Sequence, residues 1–244
     1  MTHLPKLLVV SSCTGDKWHQ PSHQLVLRDF QQGADHLAAR EQELDAFRMP
    51  ARHMYTGAQH RQIVKGMVLL RAQQDVNSEM KIISAGYGLI DPDCVIAPYN
   101  VTFNEMKSRD AAAWSRKLQI HEHLNQAIQA FDLVVFLLGE GYLRSAHFPL
   151  ESRTDQSFLF LASAGSAKWL PQHAAKQAVM CLGNPEARRF RYGLVGLKGF
   201  LFVQLARTVV QDPAVLQAWF DDPQKAIDGL DKVAKAAVSQ TSSP

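Results

Sequence analysis

Lys81 to Thr102 reads KIISAGYGLIDPDCVIAPYNVT, a short run of buried-strand character that passes directly into a long loop rich in glycine, tyrosine and aspartate. Two other runs share that character, KLLVVS at Lys6 to Ser11 and LVVFLL at Leu133 to Leu138. Each is β-branched or leucine-rich and is followed by small residues, the composition of parallel strands covered on both faces. Between them, Gln59 to Ala72 sets Ile63, Val64, Met67 and Leu70 on one helical face, and Asp110 to Ala130 does the same with Trp114, Leu118, Leu124 and Ile128. Strand and helix in alternation predict an α/β fold with a mostly parallel central sheet flanked by helices.

Working outward, further strands are expected at Ser157 to Ala162 and Gln177 to Leu182, and helices over Leu197 to Val210, Ala214 to Phe220 and Pro223 to Ala236. No internal repeat or low-complexity linker divides the chain. Residues 1–236 are therefore read as one domain, followed by a disordered tail over 237–244. A length of 244 residues with 46% hydrophobic content suits a single core near its upper size. The apolar run Leu7 to Val10 is too short for a signal-peptide core or a membrane span. The cysteines, Cys13, Cys94 and Cys181, are odd in number and far apart, which suggests neither a disulfide framework nor a structural zinc site. A monomer in a reducing cytoplasm, without membrane insertion, is the expectation. With 26 Lys and Arg against 23 Asp and Glu, the net charge of +3 permits a local nucleic-acid patch without requiring one.

In an open parallel sheet, ligands bind beyond the carboxyl ends of the strands, so three loops become the candidate site. The first, Ser11 to Lys17, offers Ser12, Cys13, Thr14 and Lys17, hydroxyls, a thiol and a cation suited to a phosphate or carboxylate. A polar turn with a buried structural thiol is the alternative. In the second loop, Gly86 and Gly88 bracket Tyr87, the acids are Asp91 and Asp93, and Pro98-Tyr99-Asn100 closes the segment. Glycines beside an aromatic let the backbone approach a flat ligand on which the ring stacks. Equally, Tyr87 and Tyr99 can pack beneath the loop while Asp91 caps a turn before Pro92. The third loop, Gly139 to His147, opens with Glu140, either a crevice carboxylate or a group that stabilises a helix N-terminus, and ends at His147, which faces the site or ends the helix.

The best candidate for phosphate-backbone contacts is Arg188, Arg189 and Arg191, interleaved with Phe190 and Tyr192 and followed by Lys198. Three arginines in four residues also suit a solvated strand edge. Metal binding is not expected. His121 and His123 lie two apart on a helix and point to different faces, with His121 on the apolar stripe, and His53 and His60 lack ligand spacing to a Cys or Glu.

The order SSC-TGDK, ARHMYTG (Ala51 to Gly57), ISAGYGLIDPDCVIAPYNVTFNEM (Ile83 to Met106) and YGLVGLKGFLF (Tyr192 to Phe202) resembles the YaaA-like superfamily. That resemblance covers most of the chain and implies a compact α/β fold with DNA-binding capacity. More remotely, a strand running into a loop with Asp91-Pro92 and Pro98-Tyr99 is similar to the uracil-DNA glycosylase type of site, although that motif is contiguous and here five residues intervene. The implied function is a DNA N-glycosylase-like enzyme removing modified or damaged bases, with defence against phages as a setting for it and a non-catalytic DNA-binding stress protein as the alternative. In the enzymatic reading a base is extruded into the three-loop crevice without a cofactor. Tyr87 or Tyr99 stacks on it, Asp91 or Asp93 orients water, Asn100 reads the base edge, and His147 or Lys17 stabilises the departing base.

Overall fold

The run Leu7–Ser12 is buried at all six positions, so it needs a partner strand on each edge and a covering layer on each face. The computed structural model, which describes residues 4–171 and 176–239, supplies both. In chain order, β1 (Leu7–Ser12) is followed by β2 (Leu25–Val26), α1 (Leu27–Gln31), α2 (Ala34–Glu43), β3 (Met49–Pro50), α3 (Ala51–Met54) and α4 (Ala58–Arg71). Next come β4 (Ser78–Ser84), β5 (Gly88–Ile90), β6 (Val95–Ile96), β7 (Tyr99–Asn100), α5 (Ser108–Lys117), α6 (Ile120–Ile128), β8 (Leu133–Leu137) and α7 (Glu140–Ala146). The remainder comprises β9 (Ser157–Ser163), β10 (Gln177–Leu182), α8 (Asn184–Arg189), α9 (Leu197–Gln211), α10 (Val215–Asp221) and α11 (Gln224–Ser239).

The main sheet has the order β10-β9-β8-β1-β4-β5, parallel except where β5 runs antiparallel to β4. The protein is thus a single α/β domain with a largely parallel sheet, as the strand and helix alternation predicts. Leu7 stands opposite both Ser78 and Leu133, so β4, β1 and β8 run in step toward their carboxyl ends. From β1 the chain crosses to β4 on one side, and from β8 it moves away to β9 on the other. That reversal opens a switch-point crevice between the ends of β1 and β8.

One helical group is α4 packed on α9, which also meets α10 and α11, and a second is α5, α6 and α7, which pack together. The stretch Leu194–Gln211 is long and apolar enough to cross a membrane, with mean hydropathy 1.2, yet 56% of it is buried within the domain as the core helix α9. The helix expected over Asp110 to Ala130 is broken in two at Gln119, whose φ is 50°. The halves are tied to different neighbours, because Trp114 Nε1 donates to the Ala85 carbonyl at 2.7 Å while His121 Nδ1 meets the Ala146 carbonyl at 3.1 Å. At the other end α11 continues to Ser239, so residues 237–239 of the expected tail are helical and 240–244 lie outside the described residues.

The segment Ala85 to Thr102 does not remain a loop. It doubles back as β5 against β4, then pairs as β6 with β3 and as β7 with β2. Part of its backbone is thereby paired with neighbouring strands, while Gly86 N and Tyr87 N donate to Ser84 Oγ and Ala97 N donates to Tyr87 OH.

Candidate active site at the strand ends

The crevice at the switch point has a volume of about 260 Å³. Ser12, Cys13, Thr14, Gly15 and Asp16 line it from the end of β1, and Gly139 and Tyr142 from the end of β8. Thr102 and Asn104 come from the chain just after β7, and Gly57, Ala58 and Gln59 from the start of α4. The first and third loops therefore do meet, while the second contributes only its final residues.

The loop after β1 is fixed by the segment before α4. Lys17 bridges to Tyr55 in antiparallel fashion, Trp18 N donates to the Met54 carbonyl at 2.8 Å, and Thr56 N donates to the Asp16 carbonyl at 3.0 Å. Gly57 is required for this approach, since a Cβ there would lie 2.8 Å from the Thr14 side chain. Thr14 Oγ1 in turn donates to the Asp16 carbonyl at 2.8 Å and accepts from Gly57 N at 3.3 Å. These contacts fix the loop backbone and the Thr14 hydroxyl on a rigid frame, as a binding site needs, and Asp16, held through its carbonyl, leaves its exposed side chain at the crevice rim.

Two ammonium groups stand behind the crevice wall. Lys17 is only 6% exposed, with Nζ donating to the Thr14 and Gly15 carbonyls at 3.1 and 3.3 Å and lying 4.4 Å from the centre of the Tyr99 ring. Burial lowers its pKa, against the opposing influence of Cys13 and Asp16. Lys198 donates to the Leu138 carbonyl at 2.8 Å, next to Gly139, and burial brings its pKa down to about 8. Among the described residues, neither forms an ion pair with a carboxylate. Buried charge without a counterion is costly unless something else repays it, and here both charges raise the potential within the crevice.

Hydroxyl chains underlie the site. Cys13 Sγ lies 3.0 Å from Tyr142 OH, which is 3.4 Å from Thr102 Oγ1. A second chain links Tyr55 OH to Tyr99 OH at 2.8 Å and Tyr99 OH to Ser84 Oγ at 2.7 Å. Burial pushes the phenols of Tyr55, Tyr99 and Tyr142 well up, so they remain protonated hydrogen-bonding groups.

Several residues expected at the crevice are placed elsewhere. Tyr87 and Tyr99 pack edge-on to Phe30 and to each other, and Tyr87 OH donates to Glu41 at 2.7 Å, so neither ring is open to a base. The small size of Gly86 serves packing, because a Cβ there would come within 2.6 Å of the Phe30 ring. Asp91 forms an exposed ion pair with Lys81 at 2.6 Å, and Asp93 pairs with Arg52. Both acids are carried away from the strand ends because β5 runs back along β4. Asn100 is exposed beside buried Tyr99, outside the crevice lining. Glu140 begins α7 but is held outward by Trp169 Nε1 at 3.1 Å and Lys168 at 3.4 Å, with the Trp169 hydrogen bond the main reason its pKa is lowered. His147 ends α7 in a left-handed conformation, φ 53°, and meets Ser115 Oγ at 2.8 Å.

The basic segment also divides. Arg188 and Arg189 close the helix α8, not a strand edge, and Arg189 pairs with Asp231 at 2.8 Å. Arg191 is exposed in a left-handed conformation, φ 50°. Phe190 is buried and Tyr192 stacks on Phe200 at 4.5 Å, so neither ring is free for stacking on a base. Among the described residues, no three His, Cys, Asp or Glu side chains gather as a metal-binding group.

Sequence reasoning missed Asp16, Gly57 to Gln59, Tyr142 and Thr102. The signal for the second group was present in Tyr55-Thr56-Gly57 immediately before an amphipathic helix, a place where backbone NH groups point outward.

Taken together, these features define an α/β protein with a polar, lysine-backed crevice at the switch point of its parallel sheet. The chain belongs to a family of unknown function (DUF6884), whose pattern matches residues 38–171, more than half of its length. That stretch includes Gly57, Thr102 and Tyr142, while Ser12 to Lys17 and Lys198 lie outside it. None of the curated proteins compared with the chain matches it.

Proposed function

We propose that the protein is a hydrolase of N-glycosidic bonds in DNA, with the crevice as its base and sugar site and Asp16, rather than Asp91, in the carboxylate role. The observation that carries this reading is the combination of one lining acidic residue, Asp16, with buried Lys17 and half-buried Lys198, neither ion-paired to a carboxylate among the described residues, around a cavity of about 260 Å³, just below the usual size of small-ligand pockets. The resemblance to the YaaA-like superfamily favours DNA as the substrate, whereas the residues that carry the likeness to glycosylase-type sites, Asp91-Pro92 and Pro98-Tyr99, lie outside the crevice and lend it no support. In the reaction the bond from the sugar C1′ to the base nitrogen breaks, and its electron pair leaves with the base. Water adds to C1′ and passes its proton to Asp16, whose negative charge also stabilises the oxocarbenium-like sugar. The positive potential of Lys17 and Lys198 stabilises the departing base anion. The protein acts as a cytoplasmic monomer, without a cofactor.

The test is incubation with DNAs carrying different base modifications, scored for abasic sites. Asp16→Asn should lower base release by at least about a hundred-fold, the scale of a lost general base, with binding retained. Release that is undiminished in Asp16→Asn, or absent on every modified DNA, overturns the proposal.

A further inference from the structure

Beside the crevice lies a second, larger cavity of about 500 Å³, lined by Trp18, Arg52, His53, Tyr55, Thr56 and Arg61 together with apolar side chains. The two meet along the chain, since Thr56 lines one cavity and the adjacent Gly57 lines the other. Trp18 is 67% exposed, the largest exposed apolar side chain among the described residues, although its backbone is fixed to Met54. An indole this open on a rigid backbone contributes little to the core and presents a flat face to solvent. The charged side chains that line the cavity are cationic. Arg52 is engaged by Asp93 and His53, whereas Arg61, exposed on the first turns of α4, pairs with no carboxylate among the described residues. No carboxylate lines the cavity.

We infer that this groove is a subsite for the nucleotide flanking the one held in the crevice, with Trp18 stacking on its base and Arg61 holding the connecting phosphate. The subsite rests on the reading of the crevice as a nucleotide site. An exposed ring adjoining a phosphate-binding cation is the arrangement that single strands use, because every base has a face to stack and an unpaired strand can splay its bases apart. The substrate class is therefore single-stranded or locally unpaired nucleic acid of at least two nucleotides, not a free nucleotide.

The experiment measures binding of an end-labelled, unmodified single-stranded oligonucleotide by fluorescence anisotropy, in DNA and RNA arms, beside the duplex of the same sequence. Tighter binding in one arm identifies the natural strand. Trp18→Ala should weaken single-strand binding by about ten-fold or more, with Trp18→Phe recovering part of the loss. Arg61→Ala should reduce the dependence of log affinity on log salt by about 0.7, one phosphate contact on a single strand. Wild-type affinity in Trp18→Ala, or equally tight binding of the duplex, overturns the subsite. So does a dimer in the wild type that Trp18→Ala dissolves without altering oligonucleotide binding. Because an unmodified strand is bound without base release, the result separates from catalysis. A ten-fold loss alongside no base release by the wild type sinks the hydrolase reading and leaves the subsite standing, while intact base release with wild-type binding by Trp18→Ala does the reverse.

Discussion

The segments that follow β1 and β4 begin alike and end differently. Both leave a buried parallel strand, and both hold glycine and acidic residues. After β1, Ser12 to Lys17 stays at the strand ends and is braced by the segment before α4, so its side chains line the crevice. After β4, Ala85 to Asn100 turns back along the sheet, with tyrosines inside and aspartates outside. A conspicuous strand-end sequence is thus a site only if its backbone finds partners that keep it there. The tyrosines that mark the second segment are structural, and they support the first, for Tyr99 lies under Lys17 and its hydroxyl joins Tyr55 to Ser84.

The most disruptive way to break this division is to remove the Tyr99 ring. Tyr99→Ala empties a fully buried position and strands the hydroxyls of Tyr55 and Ser84, a loss of about 3–5 kcal/mol by the usual cost of deleting a core aromatic. Denaturant unfolding checks it. A change below about 1 kcal/mol would mean that the ring is not the support assigned to it.

Lys198 gives a smaller effect of opposite sign. Its pKa of about 8 in the fold, against 10.5 for a free lysine, means that burial disfavours the charged form. The unfolded chain then binds more protons between pH 8 and 10.5, so this group makes stability rise with pH across that window, and below pH 8 its cost is constant. Lys198→Met should therefore stabilise the protein at pH 7 by roughly 1–2 kcal/mol, after allowing for the lost hydrogen bond to Leu138. The gain should fade as the pH approaches 10.5. Base release should fall in the same variant, as expected when a destabilising charge is kept for function. Thermal unfolding at pH 7 and pH 10 reads the first effect. Equal melting shifts at both pH values would remove the charge from the explanation.

The contrast between the two segments also marks what the sequence could reveal. The buried runs at Leu7 and Leu133 announce their pairing because a strand covered on both faces must be apolar throughout, whereas β4 is legible only from Lys81 onward, since its first residues include exposed Glu79. Ser12, Cys13 and Thr14 are legible for the same reason, following such a strand by position alone. Asp91 is misread because Gly88 to Ile90 forms only three residues of edge strand, too short to show a period-two pattern. The break at Gln119 carries no glycine or proline to announce it, and the bracing of Thr14 by Gly57 joins residues 43 apart. Such long-range contacts leave no local signature.

The smallest effect sharpens the comparison most. Asp91 keeps its exposed carboxylate beside Lys81, and the turn it opens is closed by its backbone carbonyl, which accepts from Cys94 N at 3.1 Å. Asn preserves that carbonyl and the side-chain shape and removes only the charge. An exposed pair of this kind is worth about 0–1 kcal/mol and weakens with salt. Asp91→Asn should therefore change stability by less than about 1 kcal/mol, with the difference shrinking at high salt, and leave base release at the wild-type level where Asp16→Asn lowers it by about a hundred-fold or more. If Asp91→Asn instead lost activity while folding normally, the acid would have to reach the strand ends, and the segment after β4 would have to leave the edge of the sheet to take it there.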